Sequence, residues 1–267
     1  MRILYIIIIS GLTSVVLLWL GQFNILRKKI AAALALICLL AGCGLLLMAV
    51  LPGNSFYGPV LAKVATDKKI VALTFDDGPY PPYTQELLKV LEEEKVKATF
   101  FLVGENAEKH PELVQAELKA GHEIALHSYI HRDQLKLSPE EVRQNLEQGK
   151  ATLKKISGVD VKYFRPPHGF KDWSVLQELE LANLEAVNWS VIPRDWTNPG
   201  ADVIVTRVLE KVEPGAIVLL HDGDSPKYTA PREQTVQATR TIIQNLRQDG
   251  YSFVTISELK QMQKSEK

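Results

Sequence analysis

Cysteine is nearly absent from this chain. Only Cys38 and Cys43 occur among 267 residues, and both fall inside one apolar stretch, so the polar remainder has no disulfide and no thiolate metal site. Acid is missing altogether from the first 66 residues, which carry Arg2, Arg27, Lys28, Lys29 and Lys63, a balance of +5. With 31 basic and 31 acidic residues in the whole chain, residues 67–267 hold 26 and 31, a balance of −5. A mildly acidic body lacks the electrostatic footprint of a nucleic-acid partner. Internal repeats and low-complexity stretches are absent too.

Apolar residues are plentiful, at 46%. Ile3 to Leu20 is broken only by small or hydroxyl residues, and Ile30 to Leu51 holds no charge. As helices they reach roughly 27 and 33 Å, close to the ~30 Å hydrocarbon core of a bilayer. The sequence therefore predicts two transmembrane helices, about 3–21 and 30–51, forming a membrane anchor over 1–51. The loop between them carries Arg27, Lys28 and Lys29 and by the positive-inside rule stays in the cytoplasm. Everything after Leu51 is then extracytoplasmic. A rival reading takes Leu40-Ala41-Gly42-Cys43 as a lipoprotein cleavage box, although the residues that follow are apolar where a polar tether is usual. Cleavage of the first segment alone is a further alternative.

Residues 52–67, with Pro52, Gly53, Asn54, Gly58 and Pro59, read as a linker. After it, strand-like and helix-like stretches alternate. KIVALTF precedes YTQELLKVLEEE, in which Leu87, Leu88 and Leu91 keep helical spacing. KATFFLVG precedes HPELVQAELKAG, which ends on Gly121. GHEIALH leads to SPEEVRQNLEQGKATLKKISG, a helix-like stretch with Ser138 as N-cap and Glu141 completing a capping box. VKYF, LEAVNWS, GAIVLL and YSFVTI follow, with helices near 173–182, 201–212 and 235–249. This alternation predicts an α/β fold on a parallel sheet, and some seven units in this length suit a barrel better than an open sheet.

Ionisable groups sit at the downstream ends of the apolar runs: TF before Asp76-Asp77, AL before His127, YF before Arg165, WSVIPR before Asp195 and LL before His221. In a barrel of parallel strands those ends form one rim, where active sites sit. Asp76 and Asp77 face opposite ways within a strand, but at its end, where Gly78 and Pro79 turn the chain, both can lean into one space. Their repulsion needs a metal ion, an arginine or a shared proton. His127 and His131, four apart in HSYIH, fall on one face if the segment is a helical turn. Two histidines and one carboxylate with an open position make a catalytic metal arrangement. Arg165 is stiffened by the two prolines after it and is a fit partner for an unligated carboxylate. His221, after four apolar residues, reads either as a satisfied core histidine or as a placed acid–base group.

TFDDGP, HSYIH, RPPHG, RDW and LLH, in this order, resemble the five motifs of the polysaccharide deacetylases, carbohydrate esterase family 4 or NodB homology domain. The resemblance spans about residues 68–258. It implies an irregular (β/α) barrel of parallel strands, with a deacetylase domain over 68–260 and a polar tail over 261–267. It also implies that Asp77, His127 and His131 hold a divalent ion, typically zinc, with Co2+ or another divalent ion as alternatives. Asp76 would be the general base and His221 the general acid. Arg165 would orient Asp76 and hold it ionised, and Asp195 would orient His221. The backbone N–H near His168 would stabilise the oxyanion, while Trp196 and Leu219 would wall a pocket for the acetyl methyl. Two positions depart from the pattern: His168 stands where the family usually has Tyr, and Ile192 where the fourth motif commonly begins with Asp. His110 and His122 read as structural or surface residues.

The implied activity is metal-dependent removal of N-acetyl groups from N-acetylglucosamine-containing glycans, peptidoglycan first, by an enzyme in the bacterial cell membrane. The expected partners are the acetylated glycan and the cytoplasmic membrane. Two alternatives are an O-acetyl esterase on a polysaccharide and a catalytically silent, membrane-displayed glycan-binding module. A glycosidase fits poorly, because its two carboxylates stand about 5–9.5 Å apart across the sugar bond and need no histidine pair.

Overall fold

The computed structural model describes residues 2–224 and 230–265. Two long helices come first, α1 (Ile3–Gln22) and α2 (Lys28–Val50). They pack as an antiparallel hairpin through small side chains: Ala31, Ala35, Gly42 and Ala49 are the buried positions of α2, and Ser14 Oγ donates to Ala35 O at 3.0 Å. Small residues let two apolar helices approach closely, as in membrane pairs. Large apolar side chains such as Ile8, Leu12, Leu36 and Leu40 point outward. By length and composition both helices can cross a membrane.

Strands and helices then alternate: β1 (Ile70–Asp76), α3 (Tyr83–Glu93), β2 (Thr99–Leu102), α4 (Gly104–Lys109), α5 (Pro111–Lys119), β3 (Glu123–Leu126), α6 (Pro139–Ser157), β4 (Tyr163–Phe164), α7 (Trp173–Leu181), β5 (Glu185–Ala186), α8 (Ala201–Leu209), β6 (Ala216–His221), α9 (Glu233–Gln248), β7 (Ser252–Phe253) and α10 (Ile256–Ser265). The capping box on α6 forms as expected, Ser138 Oγ accepting from Glu141 N and Glu141 from Ser138 N. Gly158, in the left-handed region at φ 74°, ends that helix.

The strands run in the order β5-β4-β3-β2-β1-β6, with β7 beside the start of β1. Each pairing is parallel. The sheet curls until Val191, beyond β5, bridges Val218 of β6, while Leu61 bridges Val187 and Lys63 bridges Ala216, so the barrel is irregular. Its strand alternation separates two cores. Val71, Leu73 and Phe75 face the helices, while Ile70 and Ala72 face the barrel interior with Phe101, Ala125, Tyr163, Ile217 and Leu219.

Two stretches read as loose from sequence are bound to this barrel. Within the expected linker 52–67, Leu61 N donates to Ala186 O at 2.9 Å, Asn188 N to Leu61 O at 2.8 Å, and Val64 N to Gly215 O at 3.0 Å. Val64 is fully buried. These residues occupy strand edges that would otherwise face water unpaired. At the other end α10 crosses residue 260, and Leu259 and Met262 pack into the interior core.

Candidate active site

The interior face, continued two residues at a time, delivers the functional side chains. Ile70, Ala72 and Thr74 lead to Asp76; Ala125 leads to His127; Tyr163 leads to Arg165; Ile217 and Leu219 lead to His221. Register brings them level, since Asp76 pairs with both Phe101 and His221 across its neighbours. Asp77 would point away from the site in an extended strand. Instead it adopts φ 74°, a left-handed conformation costly for a residue with a side chain, and so joins Asp76 at the same rim. Gly223 permits that turn: a Cβ there would lie 2.3 Å from the Asp77 carbonyl oxygen.

The helical turn expected over HSYIH does not form. His127 N still donates to Leu102 O at 2.8 Å, continuing the ladder, so the chain is extended where a helix would have to start. Ser128 (φ 68°) and His131 (φ 48°) then reverse it through left-handed conformations, with His131 N donating to Ser128 Oγ at 2.8 Å. The two rings nevertheless converge, with centroids 5.0 Å apart.

Asp77, His127 and His131 form a group that could hold a metal ion, their ligand atoms lying within 4.8 Å of one another. Asp77 Oδ1 stands 3.1 Å from His131 Nε2 and 3.5 Å from His127 Nε2. That oxygen is buried and has no hydrogen-bond partner among the described residues. His127 Nδ1 lies 2.8 Å from Arg165 O, which as a donor leaves Nε2 bare toward Asp77. Burial, reinforced by His131 and Arg165, holds the His127 ring well below its usual range and thus neutral. A buried carboxylate oxygen lacking a donor and two imidazoles turned toward it are a donor set fit for a divalent cation.

Arg165 is fully buried. Its Nη1 donates to Asp76 Oδ1 at 2.5 Å and to Thr74 Oγ1 at 2.9 Å, Nη2 to Asn188 O at 3.1 Å and Nε to Val187 O at 3.3 Å. The guanidinium carbon lies 4.0 Å from the centroid of the Phe101 ring. It is thus fixed by packing and by bonds on every side. Burial pushes the Asp76 carboxyl up while Arg165 and then His221 pull it down, leaving it at about 6.

Across the cavity, Asp195 Oδ1 lies 2.9 Å from His221 Nδ1, while Oδ2 accepts from His221 N at 2.8 Å and from Thr235 Oγ1 at 2.9 Å. Burial alone would lower the His221 imidazolium, but Asp195, followed by Asp77 and Asp76, raises it to about 9. Asp195 itself is held low against the effect of its burial, by His221 first and by the Thr235 and backbone donors. Its position follows from a short 3-10 turn, Asp195–Thr197, between left-handed Arg194 and Asn198.

The cavity of about 1000 Å³ is lined by Asp76, Asp77, His127, His131 and His221, with Trp196, Leu219 and His168 around them. Arg165 and Asp195 lie behind this lining, one behind Asp76 and the other behind His221. The His168 ring centroid is 5.4 Å from His131, and Trp196 meets His221 edge-on at 5.2 Å. Ile192 also lines the cavity. His110 and His122 do not; His122 is buried and accepts from Ala98 N at 3.2 Å. Thr74, Asn188 and Thr235, which fix Arg165 and Asp195, were missed from sequence. Thr74 was open to detection, as the interior position between Ala72 and Asp76. Thr235 lies on a distant helix and left no local signal.

Comparison with known proteins fits this geometry. The polysaccharide deacetylase family model matches residues 63–187. A peptidoglycan-N-acetylglucosamine deacetylase of Bacillus cereus is 40% identical, over 76% of this chain and 93% of that protein. The chain belongs to the polysaccharide deacetylase family. A chitooligosaccharide deacetylase of Sinorhizobium fredii is 41% identical over 73% of this chain and 94% of its own. Among solved structures, a pseudoenzyme of carbohydrate esterase family 4 from Bacillus anthracis superposes with a TM-score of 0.70 at 30% identity, covering 75% of this chain and 68% of that one. The curled barrel of parallel strands is thus the fold of the polysaccharide deacetylase family.

Proposed function

We propose that this polysaccharide deacetylase is a membrane-anchored, metal-dependent hydrolase that removes N-acetyl groups from N-acetylglucosamine-containing glycans outside the bacterial cytoplasmic membrane, with peptidoglycan as its first candidate substrate. The observation that carries the reading is the pairing of two oppositely tuned groups across one cavity. Asp76, at about 6, is ionised at neutral pH and available as a base. His221, at about 9, is protonated and available as an acid. Amide hydrolysis needs both, because water is a poor nucleophile and an amine a poor leaving group.

In this mechanism Asp76 takes a proton from the attacking water, while Arg165 fixes the carboxylate. His221, held through Nδ1 by Asp195, delivers a proton from Nε2 to the sugar nitrogen as the C–N bond breaks, yielding acetate and a free amine. The backbone at His168 helps to stabilise the oxyanion, and Trp196 and Leu219 enclose the acetyl methyl. A divalent ion held by Asp77, His127 and His131, zinc before others, would supply Lewis-acid polarisation of the acyl carbonyl. The two apolar helices are the anchor, with the catalytic body on the outer side. The relatedness to a peptidoglycan deacetylase supports the substrate, and the intact set of acidic, basic and ligand residues supports catalysis over a silent binding role.

The test is acetate release from N-acetylglucosamine oligomers and from peptidoglycan by the full-length protein in detergent. Release should require zinc, stop with a chelator, and fall by about 10²- to 10⁴-fold in Asp76→Asn, the usual contribution of a general base. A folded, zinc-loaded protein that releases no acetate from any N- or O-acetylated glycan would refute the reading.

A further inference from the structure

The two apolar helices do not lead to the barrel through a slack connection. The first residues of α1 and the last of α2 are both seated on it. Arg2 Nη1 and Ile3 N donate to the two oxygens of buried Asp172, each at 3.1 Å, and Asp172 Oδ1 also caps α7 through Val175 N at 3.0 Å. Lys171 N donates to Ala49 O at 3.1 Å, and Tyr57 OH to Leu45 O at 2.7 Å. Around these bonds Ile3, Ala49, Tyr57 and Leu135 form an apolar cluster, joined by Ile7 and Leu45 from the helices and by Phe170 and Leu176 from the barrel.

The depth of this contact matters. It runs from Ile3 to Ile7 and from Ala49 back to Leu45, which is about 6 Å along each helix at 1.5 Å per residue. An apolar helix that fills the hydrocarbon core has its end at the interface. A barrel face that overlaps the last 6 Å or so therefore lies level with the headgroups rather than above them. On that face Phe56 and Trp173 are 56% and 42% exposed, and both pack against Tyr57, at centroid distances of 5.1 and 4.7 Å. Exposed aromatics of this kind are costly in water and settle at the headgroup level, where one part of the ring is apolar and another wet.

We infer that the Phe56–Tyr57–Trp173 face is a membrane-contact surface that seats the catalytic barrel in the headgroup region of the outer leaflet. This rests on the reading of α1 and α2 as membrane spans. The same apolar cluster includes Phe170, which lines the catalytic cavity, so the seat fixes one wall of the cavity beside the lipid surface.

The test uses the full chain in lipid nanodiscs and quenching of tryptophan emission by phospholipids brominated high on the acyl chain. Trp19, inside α1, reports the span itself. In Trp19→Phe, part of the emission should still be quenched, and that part should vanish in Trp19→Phe/Trp173→Phe. Phe56→Trp in the doubly substituted protein should restore it. Equal quenching with and without Trp173, and none from a tryptophan at position 56, overturns the membrane seat while quenched Trp19 leaves the spans standing. Loss of the Trp19 signal as well would show that the span reading itself has failed.

Discussion

Asp76 and His221 are paired across one rung of the sheet, and their neighbourhoods push them in useful directions. Hydrolysis should rise with pH as Asp76, at about 6 without the ion, loses its proton, and fall as His221, at about 9 without the ion, loses its own. A divalent charge on Asp77 moves both limbs downward. The expected profile of kcat/KM is a bell with these limbs, and a flat profile between pH 5 and 9 would contradict the assignment. The upper limb depends on Asp195, the largest influence opposing the burial of His221. Asp195→Asn removes that charge while keeping the shape, so the alkaline limb should move down by more than one pH unit along with a loss of rate. An unmoved limb would mean that another group is the acid. At this scale the sequence was highly legible. Asp76, His127, Arg165 and His221 each follow an apolar run, and an ionisable group at the downstream end of such a run is a signal in the sequence. The face it takes is not, because strands such as β1 are buried on both sides. The left-handed turn of Asp77 was legible only as the need for a bend before Gly78-Pro79.

Elements were legible wherever their own side chains specify them. The α6 capping box and the buried Leu87 and Leu91 of α3 are local signals, and both were borne out. The segments that failed are governed by partners remote in sequence. HSYIH cannot be helical because His127 completes the ladder with Leu102. Residues 61–64, rich in neighbours typical of a loop, take extended form because β5 and the start of β6 offer them unpaired groups. This has a measurable consequence for truncation. Removing residues up to 67 loses three backbone hydrogen bonds to the sheet, worth about 1 kcal/mol each. It also loses the burial of Val64, worth roughly 2 kcal/mol. A fragment starting at residue 68 should therefore melt roughly 10–20 °C below one starting at residue 58, at about 2–4 °C per kcal/mol for a chain of this size. Equal melting temperatures would show that the segment is a passive connection.

For the whole molecule, the distribution of charge and the seating of the hairpin make the same demand. The ends of α1 and α2 that touch the barrel, Ile3 and Ala49, carry it on one side. The turn between the helices, with Arg27 and then Lys28 and Lys29 opening α2, lies at the opposite end. If the hairpin spans as proposed, its basic turn belongs in the cytoplasm, and the barrel and its cavity would then lie outside. Replacing Cys38 and Cys43 by serine clears the chain of thiols, after which single cysteines can report side. Lys119→Cys, on the exposed surface of α5, should react in intact cells with a thiol reagent that cannot cross the membrane. Asn24→Cys, in the turn, should react only after the cells are opened. The reverse pattern would place the barrel in the cytoplasm, away from polymerised wall. Reaction at both positions in intact cells would mean that α2, which separates them in the chain, does not span, and the anchor would then rest on α1 alone.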